Sequence, residues 1–237
     1  MKHLWWKGIG LRISLWDFLV QAKMLTTFKI IGTLSAIIPI ALGVFSFKAS
    51  KGKYRLFLFF LIFGLLTDLG VWLLYKPFKN LSYFLFVTYP LVEALFLVWF
   101  VFRILNKSHV KRFFILIVCC TITLWIVCHF IINKYFEFNG IFDTYYSIVV
   151  SFISGYALLN LSENNASIIR LPEFWFLLGV FVYCFCTFFV SSLLGTEILQ
   201  KIWYINNLIN VVSYLLFSLW YYFLSTTYLE KRVLSQS

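Results

Sequence analysis

The chain has 237 residues, of which 62 % are hydrophobic, 22 % aromatic and only 12 % charged, and its net charge is +11. With a mean hydropathy of +0.90, this composition excludes an ordinary soluble domain and indicates an integral membrane protein in contact with a lipid bilayer. The Lys and Arg residues lie between apolar runs, so we expect them to contact anionic headgroups and we expect no binding of nucleic acid.

The first 27 residues form a separate segment in which charges interrupt the apolar sequence. Lys7, Arg12 and Asp17 break up every apolar run, which excludes a signal-peptide core of about 7–15 apolar residues. Two interpretations remain open for this segment. It is either an amphipathic helix that lies in the membrane interface, or a stretch ahead of a true translation start at Met24.

Residues 28–229 read as apolar segments separated by short connectors. Each segment has about the 20 residues that a helix needs to cross the hydrocarbon core. The sequence therefore predicts an all-α, polytopic bundle of seven membrane-spanning helices, followed by a short cytoplasmic tail over residues 230–237. The predicted spans are residues 28–47, 54–75, 81–105, 113–133, 141–161, 173–194 and 203–229.

The third span, residues 81–105, carries a carboxylate and a proline near its middle. Glu93 lies twelve residues beyond Leu81, so a rise of about 1.5 Å per residue places it about 18 Å deep, close to the bilayer midplane. A carboxylate at that depth is costly unless it faces protein, water or a partner, which predicts a functional site. Because Pro90 cannot donate to the Phe86 carbonyl, we expect a kink beside Glu93.

The distribution of Lys and Arg predicts the orientation of the chain. Seven spans place the connectors after the first, third and fifth spans on the same side as the C-terminus, and short cytoplasmic loops carry an excess of cations. We therefore expect the N-terminus outside and the C-terminus in the cytoplasm of a bacterial inner membrane. The cations on the predicted cytoplasmic side are Lys48, Lys51, Lys53, Arg55, Arg103, Lys107, Lys111, Arg112, Arg170, Lys231 and Arg232.

Polar residues gather in the outer halves of the predicted spans, whereas the inner halves are nearly uniform Phe, Leu, Val and Ile. This distribution predicts a pocket that opens outward and is closed below. It would bind a ligand or a proton. The residues expected to line it are Asp68, Glu93, Tyr183, Asn206, Asn207 and Asn210.

Each of these residues also has a purely structural interpretation. Asparagine in a membrane helix often holds two helices together through a hydrogen bond worth about 0.6 kcal/mol. The Gly179, Tyr183, Thr187 and Ser191 stripe fits helix packing with hydroxyl groups bonded to backbone carbonyls. A carboxyl paired with Asn or Tyr would fix helix register without binding any ligand.

The sequence predicts neither a metal site nor a cofactor. All five cysteines lie inside apolar runs, and His129 is the one histidine that shares a predicted helix with any of them. No HExxH or GxSxG motif is present, and Lys201 lies at a helix edge where it cannot hold a retinal. An enzymatic role therefore has little support.

Two stretches carry a family resemblance: Leu171-Pro172-Glu173-Phe174-Trp175 with Gly179 and Tyr183, and Asn206-Asn207-Leu208-Ile209-Asn210 with Tyr214. They resemble uncharacterised bacterial seven-helix integral membrane proteins that are associated with two-component signalling. The resemblance covers the sixth and seventh spans. It implies a membrane partner in signalling and transfers no catalytic residue.

The leading functional prediction is a receptor-like or accessory signalling component with an outward-facing polar pocket. Its signal would leave through a separate cytoplasmic or membrane partner that contacts the basic loops, and an oligomer is compatible with the apolar helix surfaces. The alternatives are a small proton-coupled transporter, in which Pro39 and Pro90 permit alternating access, and a membrane lipid-modifying enzyme that uses Asp68 and Glu93.

Overall fold

The computed structural model describes residues 30–48, 52–74, 77–105, 111–132, 140–165, 167–193 and 197–234. Within those ranges the chain forms seven apolar helices and no strand, and the N-terminal segment 1–27 with Met24 lies outside them. The helices are α1 (Ile30–Phe45), α2 (Lys53–Leu74), α3 (Lys79–Leu105), α4 (Lys111–Ile126, continued as a π-helix over Val127–Ile132), α5 (Ile141–Asn164), α6 (Pro172–Ser192) and α7 (Glu197–Leu234).

Six of these helices, α2 to α7, are long and apolar enough to cross a membrane. The described part of α1 is shorter than 18 residues, so the first predicted span, residues 28–47, and with it the count of seven spans, stays a prediction. The all-α, multi-pass fold predicted from the sequence is confirmed at this coarser level, with six candidate spans.

The C-terminal helix is longer than its apolar segment. The sequence predicted a span over residues 203–229, whereas α7 runs from Glu197 to Leu234 and includes the start of the predicted tail. Glu230, Lys231 and Arg232 are good helix formers, and no Gly or Pro stands there to end the helix. Hydropathy located the apolar part of α7, while helix propensity sets its ends.

Hydrogen bonds between helix ends define the two ends of the bundle. At one end of the bundle the Tyr54 hydroxyl of α2 donates to Glu173 Oε1 of α6, 2.6 Å away. At the other end the Ser82 hydroxyl of α3 donates to the Val71 carbonyl of α2, at 3.0 Å. We call the first the basic end, because the side chains of Arg55, Arg103, Arg112 and Arg170 lie there, and the second the opposite end.

Large apolar side chains cover the outside of the bundle as well as its inside. Phe45 is 85 % exposed, Phe152 76 % and Leu73 71 %, and exposed apolar residues recur on every helix. A soluble protein of this size does not expose apolar residues so generally. This surface fits contact with a lipid bilayer.

Small residues let the helices of the bundle core approach closely. On α5, Ser147 and Ser151 are buried, and a Cβ on Gly155 would lie 3.3 Å from the Phe181 ring of α6. The α5–α6 and α6–α7 pairs have the most extensive contacts, while α4 packs chiefly on α3. Interfaces rich in small residues are typical of membrane helices, since lipid supplies no hydrophobic force between them.

Candidate functional site

Glu93 lies at the centre of the bundle and is 7 % exposed. The Tyr146 hydroxyl of α5 donates a hydrogen bond to Glu93 Oε2, with 3.2 Å between the oxygens. The Tyr183 hydroxyl of α6 also hydrogen-bonds the Glu93 carboxyl. Because the carboxyl is bonded from two other helices, α3, α5 and α6 meet at this one group.

Pro90 lies inside α3, one turn before Glu93, and the helix continues through it. A proline removes one backbone donor from the ladder, which leaves the carbonyls of the preceding turn short of partners. The indole N–H of Trp125 donates to the Val87 carbonyl in that turn, at 3.1 Å. This bond attaches α4 to α3 beside Pro90, immediately before α4 becomes π-helical.

A cavity of about 130 Å³ lies beside Glu93, between α2, α3, α6 and α7. Its wall combines two carboxyls with tyrosine, serine, asparagine and phenylalanine side chains, and it contains no Lys, Arg or His. Asp68 is exposed and lies toward the opposite end, whereas Glu93 is buried in the middle of the bundle. The lining residues are Phe57, Phe60, Leu61, Gly64, Asp68, Tyr89, Glu93, Leu97, Val180, Tyr183, Asn210, Ser213, Tyr214 and Phe217.

Four of the six residues predicted for the site line this cavity: Asp68, Glu93, Tyr183 and Asn210. Asn206 and Asn207 do not line it. Asn207 is buried against α1, where a Cβ added to Gly32 would lie 3.2 Å from Asn207 Oδ1. Asn207 therefore packs on α1 one turn above the cavity, and its Nδ2 has no hydrogen-bond partner among the described residues.

The remaining polar lining residues follow helical spacing from the predicted ones. Tyr89 precedes Glu93 by four residues, and Ser213 and Tyr214 follow Asn210 by three and four, so each shares a helix face with a predicted residue. The Tyr146 donor to Glu93 comes from α5, and no spacing within one helix identifies it. It depends on how α5 is rotated against α3.

Two glycines make room for the aromatic side chains beside the cavity. A Cβ on Gly64 would lie 2.8 Å from the Tyr89 hydroxyl, and a Cβ on Gly179 would lie 2.7 Å from Cε1 of Phe217. Both distances are shorter than a real carbon contact allows, so a larger residue would displace the ring. These glycines set how closely Tyr89 and Phe217 approach α2 and α6.

Toward the basic end the cavity is closed by a set of packed rings, which we call the aromatic cluster: Phe57, Phe60, Phe96, Phe100, Phe176, Phe217 and Trp220. Phe57 is fully buried, with ring centroids 4.9 Å from Phe176 and 5.0 Å from both Phe217 and Trp220. Phe60 and Phe96 stack at 4.1 Å. Since Phe57, Phe60 and Phe217 also line the cavity, the cluster forms its floor.

His129 and the cysteines lie away from the cavity. The His129 ring stacks on Trp125, with 5.3 Å between centroids, in the π-helical end of α4. Among the described residues no group of three His, Cys, Asp or Glu side chains is placed to hold a metal ion. Cys119, Cys120, Cys128, Cys184 and Cys186 are all free thiols.

The cavity can hold a positively charged group. Two carboxyls and a ring of hydroxyl and amide groups surround a small space, and the carboxyl at its centre is already bonded by two hydroxyls. Such an arrangement favours a proton or a cation over an anion.

No protein-family model matches the chain, and no curated protein or solved structure matches it. The resemblance of α6 and α7 to membrane proteins associated with two-component signalling therefore stays a prediction. The six apolar helices fit a multi-pass membrane protein, and neither the fold nor the cavity assigns the chain to a family.

Proposed function

We propose that this protein is a receptor-like or accessory signalling component that binds a proton or a small cation at Glu93. One observation carries the proposal: a buried carboxyl faces a cavity and is held by hydroxyls from two further helices. A ligand changes a conformational equilibrium only if it binds the two states differently. At Glu93 the binding energy would act on α2, α3, α5, α6 and α7 together.

The aromatic cluster favours sensing over transport. Its rings close the cavity toward the basic end, and its central ring, Phe57, is fully buried. A solute that entered the cavity would meet this packed layer before it reached the other side of the membrane. A sensor needs a binding site on one side only.

The arginines support an orientation with the basic end in the cytoplasm of a bacterial inner membrane, the N-terminus outside and the C-terminus inside. The cavity would then open toward the outside through Asp68. Arg103, Arg112 and Arg170 are exposed at the basic end, where a separate signalling partner would dock.

A pH jump on the purified protein tests whether the carboxyl acts as a switch. We expect tryptophan fluorescence to change with pH in the wild type, because Trp220 lies under the cavity and Trp125 lies beside Pro90. The part of this fluorescence change that depends on Glu93 should vanish in Glu93→Gln. Glu163→Gln, at an exposed carboxyl of α5, is the matched control. The other titratable groups around Glu93 are Asp68, Tyr89, Asp143, Tyr146, Tyr183, Cys184 and Tyr214. Identical pH responses in wild type and Glu93→Gln would refute the switch.

Partner docking is tested separately at the basic end. Arg103→Gln combined with Arg112→Gln should reduce the amount of a cytoplasmic partner that co-purifies. Electrostatic attraction between the two proteins speeds their association and fixes their relative position. Lys79→Gln, at the opposite end, should leave it unchanged. If the double variant recovers as much partner as the wild type, docking at these arginines is wrong.

A small proton-coupled transporter is the second candidate, and the position of Pro90 one turn from Glu93 favours it. Broken or kinked helices at a binding site permit alternating access. In proteoliposomes a sensor gives no solute uptake driven by a pH gradient. Uptake that Glu93→Gln abolishes would replace the sensor with the transporter.

A further inference from the structure

The chemistry of the cavity wall narrows the class of ligand, and this step rests on the proposed function. Six of the lining side chains are aromatic and come from α2, α3, α6 and α7. They surround two carboxyls, Asp68 and Glu93, and no lining residue carries a positive charge. The aromatic lining residues are Phe57, Phe60, Tyr89, Tyr183, Tyr214 and Phe217.

Aromatic rings beside carboxylates are a preferred environment for ammonium groups. The face of a ring attracts a cation, and the attraction grows when water is excluded. Calcium and magnesium require a shell of oxygen ligands instead, and phenylalanine supplies none. The mixed wall fits a cation that also presents carbon and hydrogen to its surroundings.

Ser213 gives an independent indication of a ligand. Its side chain is 1 % exposed and lines the cavity, and its Oγ has no hydrogen-bond partner among the described residues. A buried hydroxyl without a partner is costly, unless water or a ligand bonds it. Ser213 stands three residues after Asn210 on the same face of α7, so both polar groups can meet one ligand.

The volume limits the size of the ligand. At about 130 Å³ the cavity is smaller than the ~300–1,000 Å³ pockets of drug-sized molecules. It is close to an engineered cavity of ~150 Å³ that admits benzene. A ligand of up to about six non-hydrogen atoms would fill it.

We propose that the cavity binds a small primary ammonium ion, with the ammonium group at Glu93 and Ser213 and its short alkyl part against the aromatic floor. Three N–H donors suit this set of acceptors, because Glu93, Ser213 and Asn210 each offer an oxygen. The phenylalanines of α2 and α7 cover the alkyl part.

The test is equilibrium binding of n-butylammonium chloride to the purified full chain, with 1-butanol and sodium chloride as matched probes. We expect saturable binding of butylammonium and none of the other two. Glu93→Gln should weaken binding roughly 10- to 100-fold, since a hydrogen bond to a charged group is lost. Ser213→Ala should weaken it about fivefold, while Ser225→Ala, elsewhere on α7, should leave it unchanged.

Several results would overturn the inference. Equal binding of 1-butanol would show that the cavity is hydrophobic only. Equal binding of sodium would show a site for inorganic cations. Unchanged affinity in both Glu93→Gln and Ser213→Ala would show that butylammonium binds elsewhere. If Glu93→Gln does not fold, Ser213→Ala decides in its place. Absence of ammonium binding while the Glu93-dependent pH response persists refutes this inference alone, and loss of both refutes the proposed function too.

Discussion

The two halves of the bundle differ in what fills the space between the helices. Toward the basic end the space is filled by rings in direct contact, with Phe57 at their centre. Toward the opposite end it is left partly open and lined by carboxyl, hydroxyl and amide groups. Dispersion contacts stabilise the first half, while the second half keeps polar groups within membrane-spanning helices, where they are costly without function.

The same helices contribute to both halves. Phe57 and Asp68 lie eleven residues apart on α2, and Trp220 follows Asn210 by ten residues on α7. A rigid aromatic half therefore fixes the positions of α2, α3, α6 and α7, from which the polar half is built. Precise placement of a binding site requires such support.

The largest expected effect is in the aromatic half. Phe57→Ala removes a fully buried ring and should lower the free energy of unfolding by about 3–5 kcal/mol. The melting temperature of the purified protein measures this. Phe59→Ala, at a neighbouring ring that is exposed on the surface of the bundle, should change it little. Equal losses in the two variants would mean that the aromatic cluster is not a stabilising core.

The boundary between the halves is expected to be intolerant of added volume. Gly179→Ala places a methyl group 2.7 Å from the Phe217 ring, and overpacking of this kind costs about 1–3 kcal/mol. Gly70→Ala has its nearest neighbour at 3.5 Å and should be neutral or stabilising. Thermal unfolding of the pair measures the difference, and a stabilised Gly179→Ala would contradict the close approach.

The polar half should lose binding more readily than stability. Tyr146→Phe removes the hydroxyl that donates to Glu93 and leaves a carboxyl oxygen without this bond. We expect the free energy of ligand binding to weaken by about 1–3 kcal/mol and the melting temperature to change less. Ligand affinity and melting temperature are both measured, with Tyr156→Phe on the outer face of α5 as control. If both variants behave like the wild type, the Tyr146 bond does not position Glu93.

The smallest expected effect is at α4. Trp125→Phe removes the indole donor to the Val87 carbonyl and should lower the free energy of unfolding by about 1 kcal/mol. Hydrogen exchange of the backbone around Pro90 should quicken, because the turn before the proline loses its outside partner. Unchanged exchange there would show that α4 does not support α3.

The sequence predictions that depend only on position along a helix agree with the structure. The apolar segments located the six candidate spans, and the outer-half position of Asp68, Glu93, Tyr183 and Asn210 agrees with their place in the lining of one cavity. Rotation about each helix axis is a different matter, because it follows from packing against neighbours. For that reason the sequence could not tell that Asn207 faces α1, or that Tyr146 rather than Tyr145 bonds Glu93.

The π-helical end of α4 also escaped prediction. Residues 127–132 continue the apolar pattern of the fourth span, and nothing in their composition distinguishes π-helical from α-helical hydrogen bonding. In the structure the Trp125 indole N–H donates to the Val87 carbonyl of α3, and the Trp125 ring stacks on His129 where the π-helix begins. Single turns of π-helix often mark functional sites.

The central claim is that Glu93 titrates within a binding cavity rather than serving only to hold helices together. Its most direct test is the melting temperature of the purified protein between about pH 5 and about pH 9, for wild type, Glu93→Gln and Glu163→Gln. A carboxyl that exchanges protons in the folded state makes stability depend on pH. We predict that one part of this pH dependence is present in the wild type and in Glu163→Gln and absent from Glu93→Gln. Superimposable profiles in all three proteins would contradict the claim and leave Glu93 a structural contact.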